Sequence, residues 1–356
     1  MDRLLSRYRP AGVAFLSLLV ACSKTSTPAP GPTASDAPTA SSAPTASSPP
    51  PSLFSERAGV VRSPPAAFEA VVFDDSIGSV AQAADAVYWS SSKGIFRRSE
   101  RGTEKLSDDG ARFLVVHGDK LAWIRSDAPP SHGYEVWQGE LNAKGLSGQR
   151  RLAQGKCESR GLAADDSQVY YTGLCDGLMR VRWSGGRTET IVKPDLDVLI
   201  DTVAVGGGGV FWTTESGVWT TAGKKARLVA KAEYARSLFV GDSEVFWADG
   251  SGGYDVVPAT GAVRKMSKDG GTVTTLAERQ VAIAALSVSG KYVTWRTELG
   301  TIRRVEKDGT GLTTLRETGC WGYALTGEAR ELYFDVPPKE GAGGKCRPGL
   351  YKLLVR

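Results

Sequence analysis

One short apolar signature recurs seven times along the chain. An aromatic residue anchors each copy: Trp89, Trp123, Tyr171, Trp212, Trp247, Trp295 and Phe334. Two positions earlier stands Val87, Leu121, Val169, Val210, Val245, Val293 or Leu332, and nine positions earlier Val80, Leu114, Leu162, Val203, Leu238, Leu286 or Leu325. Both offsets hold Val or Leu in every copy, while the anchors lie 34, 48, 41, 35, 48 and 39 residues apart. Runs such as Ser237-Leu238-Phe239-Val240 and Val245-Phe246-Trp247 flank polar turns such as Gly241-Asp242-Ser243. β-Branched and aromatic residues between Gly/Asp turns are the signal of strands and hairpins. No comparably long 3.6-residue period appears beyond the N-terminal segment.

Each unit reads as four strands. The first is centred on the residue nine before the anchor, and the second ends at the anchor. The third often opens with glycine, as in Gly94-Ile95-Phe96-Arg97, Gly177-Leu178-Met179-Arg180 and Gly217-Val218-Trp219. A tight turn, Lys268-Asp269-Gly270-Gly271 or Lys307-Asp308-Gly309-Thr310, leads to the fourth. Four strands in about 40 residues is the arithmetic of a β-propeller. A lone four-stranded sheet cannot cover its own faces; neighbouring blades bury them, and ring closure removes the exposed ends. The seventh unit has only three strands, ending in Gly349-Leu350-Tyr351-Lys352-Leu353, whereas Phe68-Glu69-Ala70-Val71-Val72-Phe73 precedes the first unit unassigned. The reading is an all-β, seven-bladed propeller over 57–356, its last blade completed by the 68–73 strand.

Residues 1–21 have the layout of an export signal. Arg3, Arg7 and Arg9 precede a ten-residue apolar run, Ala11 to Val20, far short of the ~20 residues a membrane-spanning helix needs. The run ends Leu19-Val20-Ala21-Cys22, which resembles the bacterial lipobox. That resemblance implies that Cys22 is lipidated and becomes the mature N-terminus. Ser23 follows instead of the Asp that retains enterobacterial lipoproteins at the inner membrane, so the implied address is the cell envelope, at the outer membrane. Residues 23–52 are almost entirely Ser, Thr, Ala and Pro, with Ala-Pro-Thr-Ala-Ser-Ser at 37–42 and again at 43–48. Such a stretch has too little apolar surface to offset the entropy of ordering. The span 22–56 is therefore expected to be a disordered tether.

The repeat carries a second resemblance. Val293-Thr294-Trp295, Gly300-Thr301-Ile302-Arg303-Arg304 and Lys307-Asp308-Gly309-Thr310-Gly311-Leu312-Thr313-Thr314-Leu315 together are similar to the YWTD repeat of low-density-lipoprotein-receptor-type propellers. Val87-Tyr88-Trp89 and Val245-Phe246-Trp247-Ala248-Asp249 echo it. Those propellers usually have six blades, one fewer than here. The resemblance implies a non-catalytic binding platform and names no ligand.

Besides Cys22 there are four cysteines, Cys157, Cys175, Cys320 and Cys346. An even number in an exported chain suggests disulfides. Cys157 and Cys320 both lie fourteen residues before their anchors, and Cys175 and Cys346 both lie between second and third strands. In a propeller these two kinds of loop share one face, which predicts the pairs Cys157–Cys175 and Cys320–Cys346. The same face collects the long segments 125–133, 249–261 (with Tyr254) and 335–348. Extra loop length on one face of a rigid scaffold is where recognition usually resides. Eleven residues before the anchors stand Arg112, Arg160, Asp201, Arg236 and Tyr323, which a ring would gather around one mouth of its channel. With Tyr254 they form the candidate ligand site. Three arginines there suit an anionic group, unless they pair with acids such as Asp109, Glu158 and Glu233.

Removing residues 1–21 leaves 41 basic and 38 acidic residues, no footprint for nucleic acid. Two histidines and a single asparagine disfavour histidine metal clusters and Asn-ligated calcium. No metal or cofactor is expected. There is no Gly-x-Ser-x-Gly, His-Glu-x-x-His or phosphate loop, and no catalytic residue is assigned. The leading expectation is a lipid-anchored envelope protein that recognises a protein or glycan. One alternative is an assembly scaffold similar to the eight-bladed lipoprotein of outer-membrane barrel assembly. Another is a propeller enzyme such as a lyase or glycosidase.

Overall fold

A computed structural model describes residues 68–355, apart from 75, 84–85, 127–132, 195–198, 223–224, 251–260, 329 and 338–345. The expected signal, Cys22, the expected tether and Tyr254 thus lie outside the described residues. Twenty-eight strands form seven antiparallel four-stranded sheets, with no helix among the described residues. Six blades are consecutive in sequence: 79–107, 113–155, 159–192, 202–231, 236–280 and 283–317. The seventh takes its inner three strands from 325–354 and its outer strand from Phe68–Val72, which pairs antiparallel with Gly349–Leu354. The first strands of successive blades pack against one another around the ring, blade 7 meeting blade 1. The expected seven-bladed propeller closed by an N-terminal strand is the fold.

The sequence offsets have a direct geometric cause. The residue nine before the anchor lies directly opposite it across the first hairpin: Val80 with Trp89, Leu114 with Trp123, Leu162 with Tyr171, Val203 with Trp212, Leu286 with Trp295 and Leu325 with Phe334. The residue two before the anchor points to the same side of the sheet, because side chains alternate along a strand. All seven anchors are at most 2% exposed. They belong to apolar clusters that each bridge two adjacent blades. Trp123, for example, packs with Tyr88 and Ile95 of the preceding blade, and Val87 and Trp89 pack with Tyr333 and Leu350 across the closure. Seven such clusters span the seven junctions. Truncating one such buried aromatic to Ala costs ~3–5 kcal/mol.

The glycine that opens the third strand has a steric reason. A Cβ on Gly94, Gly177 or Gly217 would stand 2.1, 2.2 or 2.1 Å from a carbonyl oxygen of the outer strand. The register of third and outer strands slips just beyond each of these glycines. That bulge brings the two backbones too close for any side chain at its start.

Candidate functional site at the mouth of blades 5 to 7

The two disulfides mark one end of the ring. Cys157 and Cys175 are bonded with Cα atoms 5.5 Å apart, and Cys320 and Cys346 with Cα atoms 5.6 Å apart. Both pairings are those the repeat geometry predicts. Each ties the segment leading into an inner strand to the connection between second and third strands of the same blade. Disulfides of this kind suit an extracellular or periplasmic setting. Among the described residues no helix is long and apolar enough to cross a membrane.

The arginines expected at this mouth have different surroundings. Arg112 pairs with Glu158 of the next blade. Arg160 pairs with Asp201, again one blade on, at 3.6 Å. Both bridges fasten neighbouring blades. Arg236 opens the inner strand of blade 5 and is half-buried; among the described residues no carboxylate lies within ion-pairing distance of it. Its charge acts on Glu298. Tyr323, in the segment leading into blade 7, is 49% exposed. The mouth is therefore divided. Blades 2 to 4 contribute paired charges, and blades 5 to 7 contribute an open, mixed surface.

On that open side the chain is bent into unusual conformations. Four non-glycine residues have left-handed backbone among the described residues: Tyr234 (φ 53°), Ser237 (48°), Arg279 (55°) and Ala282 (33°). All four flank the starts of the inner strands of blades 5 and 6. Such conformations cost on the order of 1 kcal/mol or more each and persist where the surroundings enforce them. The first hairpin of blade 5 slips its register between Arg236 and Phe239, at Ser237. The Ser237 hydroxyl then donates to the Ala284 carbonyl of blade 6 at 3.0 Å.

Glu298 is the functional candidate that the sequence reading missed. It sits in the tight connection between second and third strands of blade 6, three residues past the anchor Trp295. Its backbone N–H donates to the Ala282 carbonyl at 2.8 Å, which draws the connection against the start of the inner strand. Glu298 is 8% exposed, and its Oε2 is buried with no hydrogen-bond partner among the described residues. Burial pushes its carboxyl above the ordinary glutamate range, and the Arg236 charge partly offsets that. Tyr323 feels the same carboxylate: burial first, then Glu298 and Asp335, raise its hydroxyl pKa. Tyr234, Val281 and Leu299, each at least 40% exposed, lie in the connections at this same end of blades 5 and 6.

Beneath this surface a buried ion pair locks blade 6 to the closing blade. Arg296, fully buried, places Nη1 2.9 Å from Asp335 Oδ1, and its Nη2 donates to the Cys320 and Trp321 carbonyls at 3.0 and 2.9 Å. The backbone N–H groups of Tyr323 and Ala324 donate to the same Oδ1 at 2.9 and 2.8 Å. Burial pushes the Asp335 carboxyl up, against the pull of Arg296 and these N–H groups. A Cβ on Gly322 would fall 2.0 Å from the Arg296 guanidinium, so this position is glycine because the clasp fills its space. The clasp thus sets the backbone that carries Tyr323.

The opposite end of the ring carries a polar cleft of about 430 Å³ between blades 1 and 2, lined in part by Tyr88, Arg97, Arg101 and Asn142. Arg97 there is committed to Glu104 at 2.5 Å and to the Asn142 carbonyl at 3.1 Å. Among the described residues no group of three or more His, Cys, Asp or Glu side chains is placed to hold a metal ion.

No family model and no curated protein matches the chain. Solved structures do match it. The WD40 domain of Neurospora crassa Pan2 is 10% identical with a TM-score of 0.58, over 79% of this chain and 90% of that one. The extracellular domain of a hybrid two component system of B. thetaiotaomicron is 11% identical with a TM-score of 0.59, over 81% of this chain and 39% of that one. A GH74 enzyme of Niastella koreensis is 12% identical with a TM-score of 0.58, over 75% of this chain and 52% of that one. At such identities the likeness is one of architecture: the chain shares the β-propeller fold with these proteins.

Proposed function

We propose that the protein is a lipid-anchored binding protein of the bacterial cell envelope, which uses the disulfide-marked face of its propeller to recognise a protein or glycan partner. The observation that carries this reading is the asymmetry of the mouth. Over blades 5 to 7 the connections at this end carry exposed Tyr234, Val281, Leu299 and Tyr323, left-handed backbone at Tyr234, Ser237, Arg279 and Ala282, and the buried Glu298. Stability alone gives no reason to keep such a combination, whereas binding surfaces commonly use it. The lipobox-like Leu19-Val20-Ala21-Cys22 and the Pro/Ser/Thr/Ala-rich stretch behind it supply the anchor and reach, and the two disulfides fit an exported chain.

Two experiments test the two halves. Metabolic labelling with a fatty acid should mark the wild-type chain and not Cys22→Ser, and the variant should leave the membrane fraction. Label on Cys22→Ser would overturn the anchor. For recognition, the full chain is passed over panels of envelope proteins and glycans. Retention that Tyr323→Lys with Leu299→Lys abolishes, and Arg97→Ala on the opposite end leaves intact, is the expected result. Retention indifferent to the first pair would remove the face from the proposal.

A further inference from the structure

We infer that the cleft between blades 1 and 2, at the end of the ring opposite the disulfides, is a site for a small zwitterion, whose anionic group meets Arg101 and whose ammonium meets Glu100 and Asp119. The cleft holds about 430 Å³ and is lined by all three side chains. That volume lies within the range of small-ligand sites. The three side chains are exposed, so a ligand reaches them without any movement of the fold.

Blade 2 supplies a wall that the other blades lack. Its third and outer strands, Tyr134–Asn142 and Gly145–Gly155, have nine and eleven residues. In the other blades the third strand has six or seven residues and the outer strand four to seven. Pairing of second and third strands in blade 2 stops at Lys120 with Glu140, and Leu141 and Asn142 run on past it. Two bonds hold this overhang in place. The Leu141 N–H donates to the Asp119 carbonyl at 2.6 Å, and Arg97 of blade 1 donates from Nη1 to the Asn142 carbonyl at 3.1 Å. Arg97 also donates from Nε to Glu104 at 2.5 Å, so it acts as a strut between the blades and is not offered to the ligand. Extra length in one repeat, braced to form one wall of a cleft, is a common way for repeat folds to build a recognition site.

The charges decide the class of ligand. Glu100 and Arg101 stand in the turn between third and outer strands of blade 1, and Asp119 in the first turn of blade 2. Among the described residues their side chains make no ion pair or hydrogen bond, with each other or with another group. Other exposed charges at this end do pair, as His117 with Asp166 and Lys291 with Glu306, each at 2.7 Å. A simple anion suits Arg101 but meets two carboxylates, and a simple cation suits the carboxylates but meets Arg101. A zwitterion satisfies both: the guanidinium takes phosphate or carboxylate oxygens, and the carboxylates take ammonium protons. A sugar needs an exposed ring to cover its apolar face. The one aromatic side chain lining the cleft among the described residues, Tyr88, is 6% exposed. Such a zwitterion has two sources, a phospholipid headgroup of phosphate and ammonium, or a free amino acid.

The test is an NMR titration of the full chain with its disulfides formed, at low salt because exposed charges are screened. Glycerophosphoethanolamine and alanine are the zwitterions, glycerophosphoglycerol the anion, ethanolamine the cation and maltose the neutral sugar. At least one zwitterion should bind, and the three other probes about tenfold or more weakly. Arg101→Glu and Asp119→Lys should each weaken the zwitterion about tenfold or more. Arg187→Glu, the same reversal in the turn between third and outer strands of blade 3, should leave it unchanged. The side chains of Arg101 and Asp119 hold nothing in place, so both variants fold, and an unchanged Tm verifies it. Preference for glycerophosphoethanolamine supports the site and assigns the lipid headgroup; preference for alanine supports the site and assigns the free amino acid. Zwitterion binding indifferent to both reversals overturns the site. Maltose or a singly charged probe bound as tightly as the zwitterions overturns the ligand class, and binding of no probe overturns the proposal. None of these outcomes bears on recognition at the disulfide-marked end.

Discussion

Asp335→Ala tests whether the clasp beneath the mouth does what its geometry implies. The substitution strands the fully buried Arg296 guanidinium and removes the acceptor of the Tyr323 and Ala324 N–H groups. Breaking one side of a buried ion pair costs ~3–5 kcal/mol. The Cys320 and Trp321 carbonyls still hold Nη2, so a loss of about 4 kcal/mol is expected, not a larger one. With an unfolding entropy of ~2.1 cal/mol/K per residue, a ring of roughly 290 residues should lose about 6–7 °C of Tm. Asp335→Asn keeps an oxygen for the two N–H groups and discards the charge, so it should cost less. Arg296→Met with Asp335→Asn removes both charges and should recover most of the loss, because the surviving guanidinium is the main source of the penalty. Urea unfolding followed by tryptophan fluorescence, with disulfides kept oxidised, measures all three. A loss below about 1 kcal/mol for Asp335→Ala, or a double variant no more stable than Asp335→Ala, would refute the reasoning.

Three further outcomes follow from the same contacts. Burial raises the folded-state pKa of Glu298 above its unfolded value, so ionising it costs stability as pH rises from about 4.3 through the folded pKa. Glu298→Gln should therefore melt higher than wild type at pH 8 and equal it near pH 4; equal gains at both pH values would show that charge burial is not the cause. Replacing Cys320 and Cys346 together by Ser opens a loop of sequence separation 26. It should cost about 3.5 kcal/mol in the chain-entropy model, read as the difference in unfolding free energy from the oxidised wild type in denaturant melts. Gly177→Ala places a Cβ 2.2 Å from the Val192 carbonyl at φ +77°. It should destabilise blade 3 by roughly 1–3 kcal/mol in denaturant melts, whereas Gly185→Ala, with nothing within 4 Å of the added carbon, should cost only the φ strain.

The architecture was open to reading because its causes are local and repeat seven times. An offset of nine is a hairpin register, an offset of two is one side of a strand, and a leading glycine is a bulge. Each rule is written into the residues that obey it. The disulfide pairs and the closing strand followed from the same register. The mouth was harder to read. Position minus eleven correctly placed Arg112, Arg160, Asp201, Arg236 and Tyr323 at the starts of inner strands, but which arginines face an acid depends on the blade next door. Arg112 meets Glu158 from 46 residues away. Glu298 was invisible for a related reason. Thr297-Glu298-Leu299-Gly300 looks like an ordinary exposed turn, and its burial comes from the hydrogen bond to Ala282, on another connection. The available hint was positional. Three residues past the anchor most repeats place Ser92, Ser126, Leu174, Gly250 or Pro337, and only Glu215 and Glu298 are acidic.

Closing the ring with Phe68–Val72 also orders events in time. This strand is synthesised before every other part of the propeller, yet its partner, Gly349–Leu354, is nearly the last part made. The six sequence-contiguous blades can gather their strands as they emerge. The seventh cannot, and its outer strand must remain unpaired until some 280 intervening residues have been delivered, a loop whose closure entropy grows only slowly with length. The final pairing is therefore the most non-local one in the ring. A chain that lacks residues 349–354 has no means of taking it, so Phe68 finds its partner only once that strand is present. Closure thus works as a check on the ring itself, built from five residues of one strand and six of the other.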